Sequence, residues 1–416
     1  MDGDKFICCN CIGDHLLSEK IKSHGSNAQC SYCGEFDIGE SLSSVAARVD
    51  AVYREFYGYA ESYPVFYGDS DRPDYEQRGD SPEYIINMML KCHDTDISDD
   101  ICSFLSEEEG YSVMSDGADA MYDTTSCYQH IDVGAGLHYE LWHNFCEDIK
   151  HGARFFSLDA HRTLSQVFDD INSYSSTEGE KPIRMQPICE IYRCRKVNSI
   201  EEMKFISSNP QSELDAPPKH VAKSGRMNPL GVSIFYGAFD KDTCIAELRP
   251  AVGERIICGT FKLNRPLKVF DFTVLNKVYS ELSMFDPEYA EKLSQLEFLR
   301  NFESIISKAF LPSQSDLEYL PLQAMTEYLS RYVDGGVDGI IYPSAQTAGA
   351  TKNIVVFKNS NRVKVEGDFI SYLPESEPFL SFQEGSISIH EVQSVAYTQN
   401  ESCLESYLHD MKYGHY

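Results

Sequence analysis

Apolar positions recur at spacings of three and four over residues 45–59, 84–92 and 141–150. That is the period of a helix burying one face. Residues 163–171 repeat it, with Leu164, Val167 and Phe168 on one side. These segments predict a mainly helical region over residues 41–180. Residues 1–40, ahead of it, are rich in Cys and Gly and show little apolar periodicity. Residues 173–181 (SYSSTEGEK), after it, are polar and contain Gly, which predicts a linker.

Past the linker the pattern alternates between strands and helices. Residues 232–239 (VSIFYGAF) are β-branched and aromatic and predict a strand. Asp240 is placed to cap the next helix, which carries Cys244, Ala246 and Glu247, with Glu247 near its start. Strands are predicted over 255–263 and 267–272, broken at Asn264-Arg265-Pro266. An amphipathic helix over 289–310 and a second near 322–332 follow. Next come Gly335-Gly336, a strand over 338–342, a turn and a strand over 353–358. Residues 385–398 alternate enough for one or two further strands. The expected fold class is α+β in three parts: a small four-cysteine zinc-binding module (1–40), a mainly helical domain (41–180) and a mixed α/β domain with a C-terminal tail (181–416).

Charge narrows the function. Acidic residues outnumber basic ones 65 to 36, for a net charge of −29. Nucleic-acid backbones are bound by clustered Lys and Arg, so no nucleic-acid partner is expected. No Lys or Arg occurs between Cys92 and Asp148, which reads as a solvated acidic face or a docking face for a basic partner. No apolar run approaches the roughly 18 residues of a membrane helix, and Met1–Lys5 does not read as a secretory signal. A soluble, cytoplasmic protein is expected, with no membrane partner. Its 14 cysteines are then expected as metal ligands or buried thiols rather than disulfides. No pattern in the chain sets an oligomeric state.

Four cysteines form two CxxC pairs, Cys8/Cys11 and Cys30/Cys33, eighteen residues apart. This spacing suits a four-cysteine zinc site, in which two short turns each supply two thiolates to a tetrahedron. Four thiolates leave no open position, so the zinc is expected to be structural. The segment is too small to bury a core, so metal binding is expected to supply its folding energy. His15 and His24 are substitute ligands, with a surface role as the simpler reading.

The second constellation lies beyond Tyr192. Arg193 and Arg195 stand in YRCR, Arg226 in GRMNP, Tyr236 on the predicted strand, Glu247 eleven residues on, and Ser344 after a strand in YPS. Singly, each has an ordinary structural reading: surface cation, core aromatic, helix-dipole partner. Together, the stretches YRCR, GRMNPLGVSIFYGAF, DTCIAELRP, VDGIIYPS and NIVVF resemble the RES domain family in order and spacing, over residues 192–359. The segment WHNFCEDIKHGARFF and the CxxC pairs look like the HEPN-type N-terminal region that accompanies some members.

The resemblance implies a fold similar to ADP-ribosyltransferases and NAD as substrate. Arg193 and Arg226 match the two family arginines, Tyr236 the Tyr, Glu247 the Glu and Ser344 the Ser. Asn353 falls where members often carry a polar residue. Many members have Trp after the second Arg; Met227 stands there, a change expected to alter packing beneath the loop more than chemistry. The residues between Arg193 and the GRMN block are more numerous than usual and are expected to reshape the cleft entrance.

The residue types suit the implied chemistry. Guanidinium groups grip phosphate oxygens through paired hydrogen bonds, a role for Arg193 and Arg226. A Tyr face can stack on the cationic nicotinamide ring, a role for Tyr236. A carboxylate can stabilise the oxocarbenium-like ribose or orient the nucleophile, a role for Glu247. Ser344 is expected to bond the pyrophosphate or ribose, with Asn353 also on NAD. The acceptor stays open: water gives a glycohydrolase, phosphate a phosphorylase, a protein side chain an ADP-ribosyltransferase. The family resemblance favours destruction of free NAD by a growth-arresting toxin, restrained by a partner antitoxin or in cis by the N-terminal half.

Two readings compete. Arg154 and His161 fit the loose Arg-x4–6-His pattern of HEPN ribonucleases, although Phe155 follows the Arg and the surroundings are acidic. There the plain alternative packs Phe155 and Phe156 in a core, with Arg154 exposed. The other is a non-catalytic, zinc-bearing binding module. No GxxxxGK[ST], HExxH or GxSxG occurs, and Gly134-Ala-Gly136 is an incomplete dinucleotide fingerprint.

Overall fold

The computed structural model describes residues 5–65, 74–109, 121–131, 136–308, 315–347, 349–357, 364–366, 369–371, 378–396 and 403–404. Phe310, Lys358, Gly134 and the last residues of the predicted tail fall outside this set. The chain divides into two compact units, residues 1–141 with 279–298, and residues 142–278 with 299–416. Each mixes helix with sheet.

In the first unit, β1 (Phe6–Cys8), β2 (Ser26–Gln29) and β3 (Phe36–Ser41) form an antiparallel sheet in the order β1-β3-β2. Helix α1 (His15–His24) joins the first two strands and starts where the Asp14 side chain accepts from Leu17 N. The sequence reading gave no helix here, because only Leu17 and Ile21 mark its buried face. Helix α2 (Leu42–Phe56) is capped by Ser41 and buries Leu42, Val45, Ala46, Val49 and Tyr53 at helical spacing. Helices α3 (Pro82–Leu90) and α4 (Asp96–Glu109) complete the packing. Ile7, Ile12, Leu17 and Ile21 share one core cluster with Val45, Ile85 and Ile101. The Cys-rich segment therefore buries apolar side chains together with the helices that follow it.

The second unit is built on a nine-stranded sheet. Its strands are β4 (Ile183–Gln186), β5 (Glu190–Val197), β6 (Ile234–Ala238), β7 (Arg255–Leu263), β8 (Leu267–Asp271), β9 (Gly339–Pro343), β10 (Lys352–Phe357), β11 (Leu380–Phe382) and β12 (Ser388–Glu391). The order is β11-β7-β5-β6-β10-β9-β8-β4, with β12 also on β7. Only β8 and β9 pair in parallel. Ile191, Phe235, Ile257, Ile341, Ile354 and Val356 form the core on one face. Helix α5 (Leu158–Phe168) belongs to this unit, and its Phe168 ring meets Phe270 and Phe302 edge-on.

The register places the later site. Tyr192 on β5 pairs with Ala238 on β6, Ala238 with Asn353 on β10, and Asn353 with Tyr342 on β9. Three stretches of chain remote in sequence, β5, β6 and the β9–β10 pair, thus meet in one row across the sheet. The β5 and β6 strands share only that one register pair, whereas β5 and β7 share eight.

One ladder overturns an expectation. Cys194 and Cys258 stand directly opposite on β5 and β7, Cα atoms 4.2 Å apart, and are joined by a disulfide. The sequence reading had them as free thiols, since cross-strand register cannot be seen in the chain alone.

Candidate active site

The row opens into a cavity of about 310 Å³, at the low end of small-molecule sites. Arg193, Arg226, Tyr236, Glu247 and Asn353 all line it. The structure thus brings together five of the six residues singled out from sequence. Ser344, the sixth, lies directly behind Glu247.

Arg193 sits beside the gap between β5 and β6. Its Nη1 donates to the Tyr236 carbonyl oxygen at 2.5 Å, an acceptor that a longer ladder would have occupied. Its guanidinium lies 5.6 Å from the Phe235 ring centre, and burial pulls its pKa below the ordinary arginine value.

Arg226 projects from a tight loop. Tyr236 builds that loop: its hydroxyl donates to Asn228 Oδ1 at 2.7 Å and accepts from Met227 N at 3.0 Å. Gly225 is required by this close approach, since a Cβ there would lie 2.7 Å from Asn228 Oδ1 and 2.8 Å from the Tyr236 oxygen. Gln323, on α7 (Leu320–Arg331), donates to the Gly225 carbonyl at 2.7 Å. Met227 is buried, with Thr326 of α7 at its sulfur, so this residue does act in the packing beneath the loop. Arg226 itself donates to the carbonyls of Ile306 and Lys308. Burial raises the Tyr236 pKa.

Glu247 is the last residue of the short helix α6 (Lys241–Glu247), not near its start as read from the sequence. Asp240 caps this helix as expected, accepting from Thr243 N at 2.8 Å. The helix ends early because Pro250 follows and Arg249 adopts a left-handed φ of 47°. A carboxylate at a helix C-terminus opposes the macrodipole. Two donors offset this: Ser344 Oγ at 2.6 Å and Asn353 Nδ2 at 2.7 Å, both to Oε1. Oε2 has no hydrogen bond among the described residues.

Ser344 is fully buried and its hydroxyl is engaged by Glu247 rather than free for pyrophosphate or ribose, as the sequence reading expected. Its loop is latched to α6 through Thr351, whose Oγ1 lies 2.6 Å from Thr243 Oγ1 and 2.7 Å from Thr347 Oγ1.

Of the lining residues that the sequence does not single out, two bear on the chemistry. Tyr342 lies two residues before Ser344, and period-two alternation from Ser344 was the available signal. Burial raises its pKa. Arg249 is the second; it stands in the DTCIAELRP stretch, where nothing sets it apart from its neighbours.

Elsewhere in this unit, Arg154 donates to the carbonyls of Ile149 and Lys150, and His161 meets Tyr328 and Tyr332 edge-on. Neither arrangement supports phosphate binding or acid/base work by the pair. Phe155 and Phe156 are 89% and 96% exposed, not packed in a core. Arg154 folds back onto the preceding helix end, and the two rings that follow it face solvent.

The metal centre lies in the first unit. The sulfurs of Cys8, Cys11, Cys30 and Cys33 all lie within 4.8 Å of one another. Three pairs are at 3.5, 3.6 and 3.8 Å, matching the roughly 3.8 Å edge of a tetrahedron with metal–sulfur bonds of about 2.3 Å. Burial opposes the Cys30 thiolate, but the backbone N–H groups of Cys33, Tyr32 and Cys8 outweigh it and bring the thiol down to about 7. Burial pushes Cys8 up to about 11. The group can hold a metal ion, and neither His15 nor His24 belongs to it.

Residues 197–372 match the RES domain model, and residues 23–163 match the model of HEPN/RES N-terminal domain 1. The first match takes in Arg226, Tyr236, Glu247, Ser344 and Asn353 and begins just after Arg193. The second takes in Cys30 and Cys33 and begins after Cys8 and Cys11. A search of the curated proteins finds no match to the chain. The chain belongs to the RES domain family, with a HEPN/RES-type N-terminal region.

Proposed function

We propose that the cleft binds NAD and that Glu247 assists cleavage of its nicotinamide–ribose bond. At the family level a RES domain is an NAD-related, toxin–antitoxin domain; the particular reaction is the proposal. The observation that carries it is that Glu247 is, among the described residues, the single carboxylate on a wall that also presents Arg193 and Arg226. Ordinary glycoside hydrolysis uses two carboxyl groups, one of which protonates the leaving oxygen. Nicotinamide is different: it is cationic in NAD and departs neutral, so it needs no acid. One fixed carboxylate then suffices to stabilise the oxocarbenium-like ribose.

The remaining roles follow from chemistry. Arg193 and Arg226 have no carboxylate within ion-pair distance among the described residues, so an anionic ligand would supply their counter-charge. Tyr236 and Tyr342 offer ring faces to the flat pyridinium, and Tyr236 also holds the Arg226 loop. Ser344 and Asn353 act as positioning residues through Glu247, and Asn353, which lines the cleft, can also touch NAD.

The test is nicotinamide release from NAD by the parent chain beside Glu247→Ala and Arg226→Ala, in buffers with and without phosphate. Release lost in both variants supports the reading. Dependence on phosphate identifies a phosphorylase, and labelling of protein by the ADP-ribose group identifies a transferase. No release in any buffer favours the non-catalytic module.

Zinc as the structural metal, a cytoplasmic location, the division at 40 and 180, and restraint by an antitoxin or by the N-terminal region belong to the same proposal. Among the described residues no helix is long and apolar enough to cross a membrane. Truncation at Lys181 is a poor test of restraint, because it removes α5 and uncovers Phe270. Expression of the intact chain is cleaner: growth arrest that Glu247→Ala abolishes would overturn restraint in cis.

A further inference from the structure

We infer that Arg249 is a further substrate-binding residue of the cleft, one that contacts a phosphate of the dinucleotide and so sets the preference for two phosphates over one. This rests on the reading of the cleft as an NAD site.

Arg249 stands at a backbone position that favours glycine. Arg249 has φ 47°, a left-handed conformation that a helix end normally gives to Gly or Asn. Pro250 follows, which restricts the backbone further. The conformation is pinned on both sides: Arg249 N donates to the Ala246 carbonyl at 2.9 Å, and Lys196 Nζ donates to the Arg249 carbonyl at 3.2 Å. Glycine would meet every one of these backbone requirements without strain. Strained non-glycine residues gather at ligand clamps, and this one lines the cleft.

Its charge points the same way. The guanidinium lies 3.1 Å, through both Nε and Nη2, from the side-chain oxygen of Gln346 when that amide is turned to accept. Gln346 orients it without neutralising it. Among the described residues no carboxylate lies within ion-pair distance of Arg193, Arg226 or Arg249. In a chain of net charge −29, three guanidinium groups against the one carboxylate of Glu247 leave this cavity with a net positive lining, which matches a ligand with more than one anionic group. Arg226 is tied to two backbone carbonyls and Arg193 to one, whereas Arg249 is held by one neutral side chain and its Nη1 has no hydrogen bond among the described residues, so Arg249 can take the second phosphate of a pyrophosphate.

The test compares NAD, with two phosphates, and nicotinamide mononucleotide, with one, as substrates of the full chain and of Arg249→Gln and Arg249→Gly. Binding of ADP-ribose is measured by calorimetry alongside. The expected result is a fall of about tenfold or more in the ratio of kcat/KM for NAD to that for the mononucleotide, carried by KM, and a matching loss of ADP-ribose affinity. Arg249→Gly is expected to melt no lower than the parent. Equal losses on both substrates with a lowered melting temperature would make Arg249 a structural residue and overturn the inference, as would unchanged ratios and affinity. If the parent cleaves neither compound yet binds ADP-ribose through Arg249, the assignment stands and the cleavage reading falls. If the parent does not bind ADP-ribose, both fall.

Discussion

Ser344 Oγ donates to Glu247 Oε1 at 2.6 Å from a fully buried position, and Asn353 shares the same oxygen. The carboxylate is therefore clamped by one oxygen and offers the other. Ser344→Ala is expected to lower the rate of nicotinamide release by about ten- to a hundredfold with a smaller change in KM, since loss of one preorganised donor acts on the transition state. Single-turnover kinetics would check this; a loss confined to KM would place Ser344 on the substrate instead. Ser344→Ala and Asn353→Ala should combine non-additively, because both act on one carboxylate.

Glu247→Gln keeps the shape of the side chain and removes its charge. It is expected to reduce nicotinamide release by at least about a hundredfold while ADP-ribose binding persists. Activity within a few-fold of the parent would mean that the carboxylate does not face the developing cation.

Tyr236→Phe removes the hydroxyl that joins Asn228 Oδ1 to Met227 N and so loosens the loop carrying Arg226. The expected outcome is a KM for NAD raised by about tenfold and a stability loss of about 1–3 kcal/mol, the cost of leaving buried partners unsatisfied. Denaturant unfolding beside steady-state kinetics would show whether the two effects travel together.

Elemental analysis of protein expressed with zinc is expected to find one zinc per chain. Its removal by a strong chelator is expected to lower Tm by roughly 5 °C or more, since 1 kcal/mol moves Tm by about 2–4 °C in larger domains. Cys30→Ser should abolish the metal and give the same lowered Tm without chelator. Full stability after metal removal would contradict a structural role.

Cys244 lines the cleft near Arg193, yet burial, outweighing the pull of that cation, pushes its thiol up to about 11. The thiolate is the reactive form, so alkylation should be slow at pH 8 and climb steadily toward pH 11. Mass-spectrometric labelling across this range would check it. A midpoint near the ordinary thiol value of about 8.5 would mean that the site is more open than the structure has it.

The sequence was most informative where a local pattern decides the outcome. Strand 255–263 and the Asp240 cap follow from β-branched runs and capping chemistry, and the four-cysteine group follows from spacing alone. What stayed hidden depends on contacts between distant segments. That Glu247 ends its helix rather than opening it is decided by Pro250 and the left-handed Arg249 together. That Ser344 serves Glu247 is decided by the loop latch at Thr351. That Cys194 meets Cys258 is decided by strand register. None of these contacts leaves a periodic trace in the chain.

The row Tyr192, Ala238, Asn353 and Tyr342 has a consequence for heredity. Its members come from three stretches of chain, β5, β6 and the β9–β10 pair, and each is positioned by its neighbour's backbone. The loops between them can lengthen without moving the row. A crossover that replaces one strand moves all of it. This module should therefore pass between genes whole, and lineages should differ in its insertions far more than in its splice points.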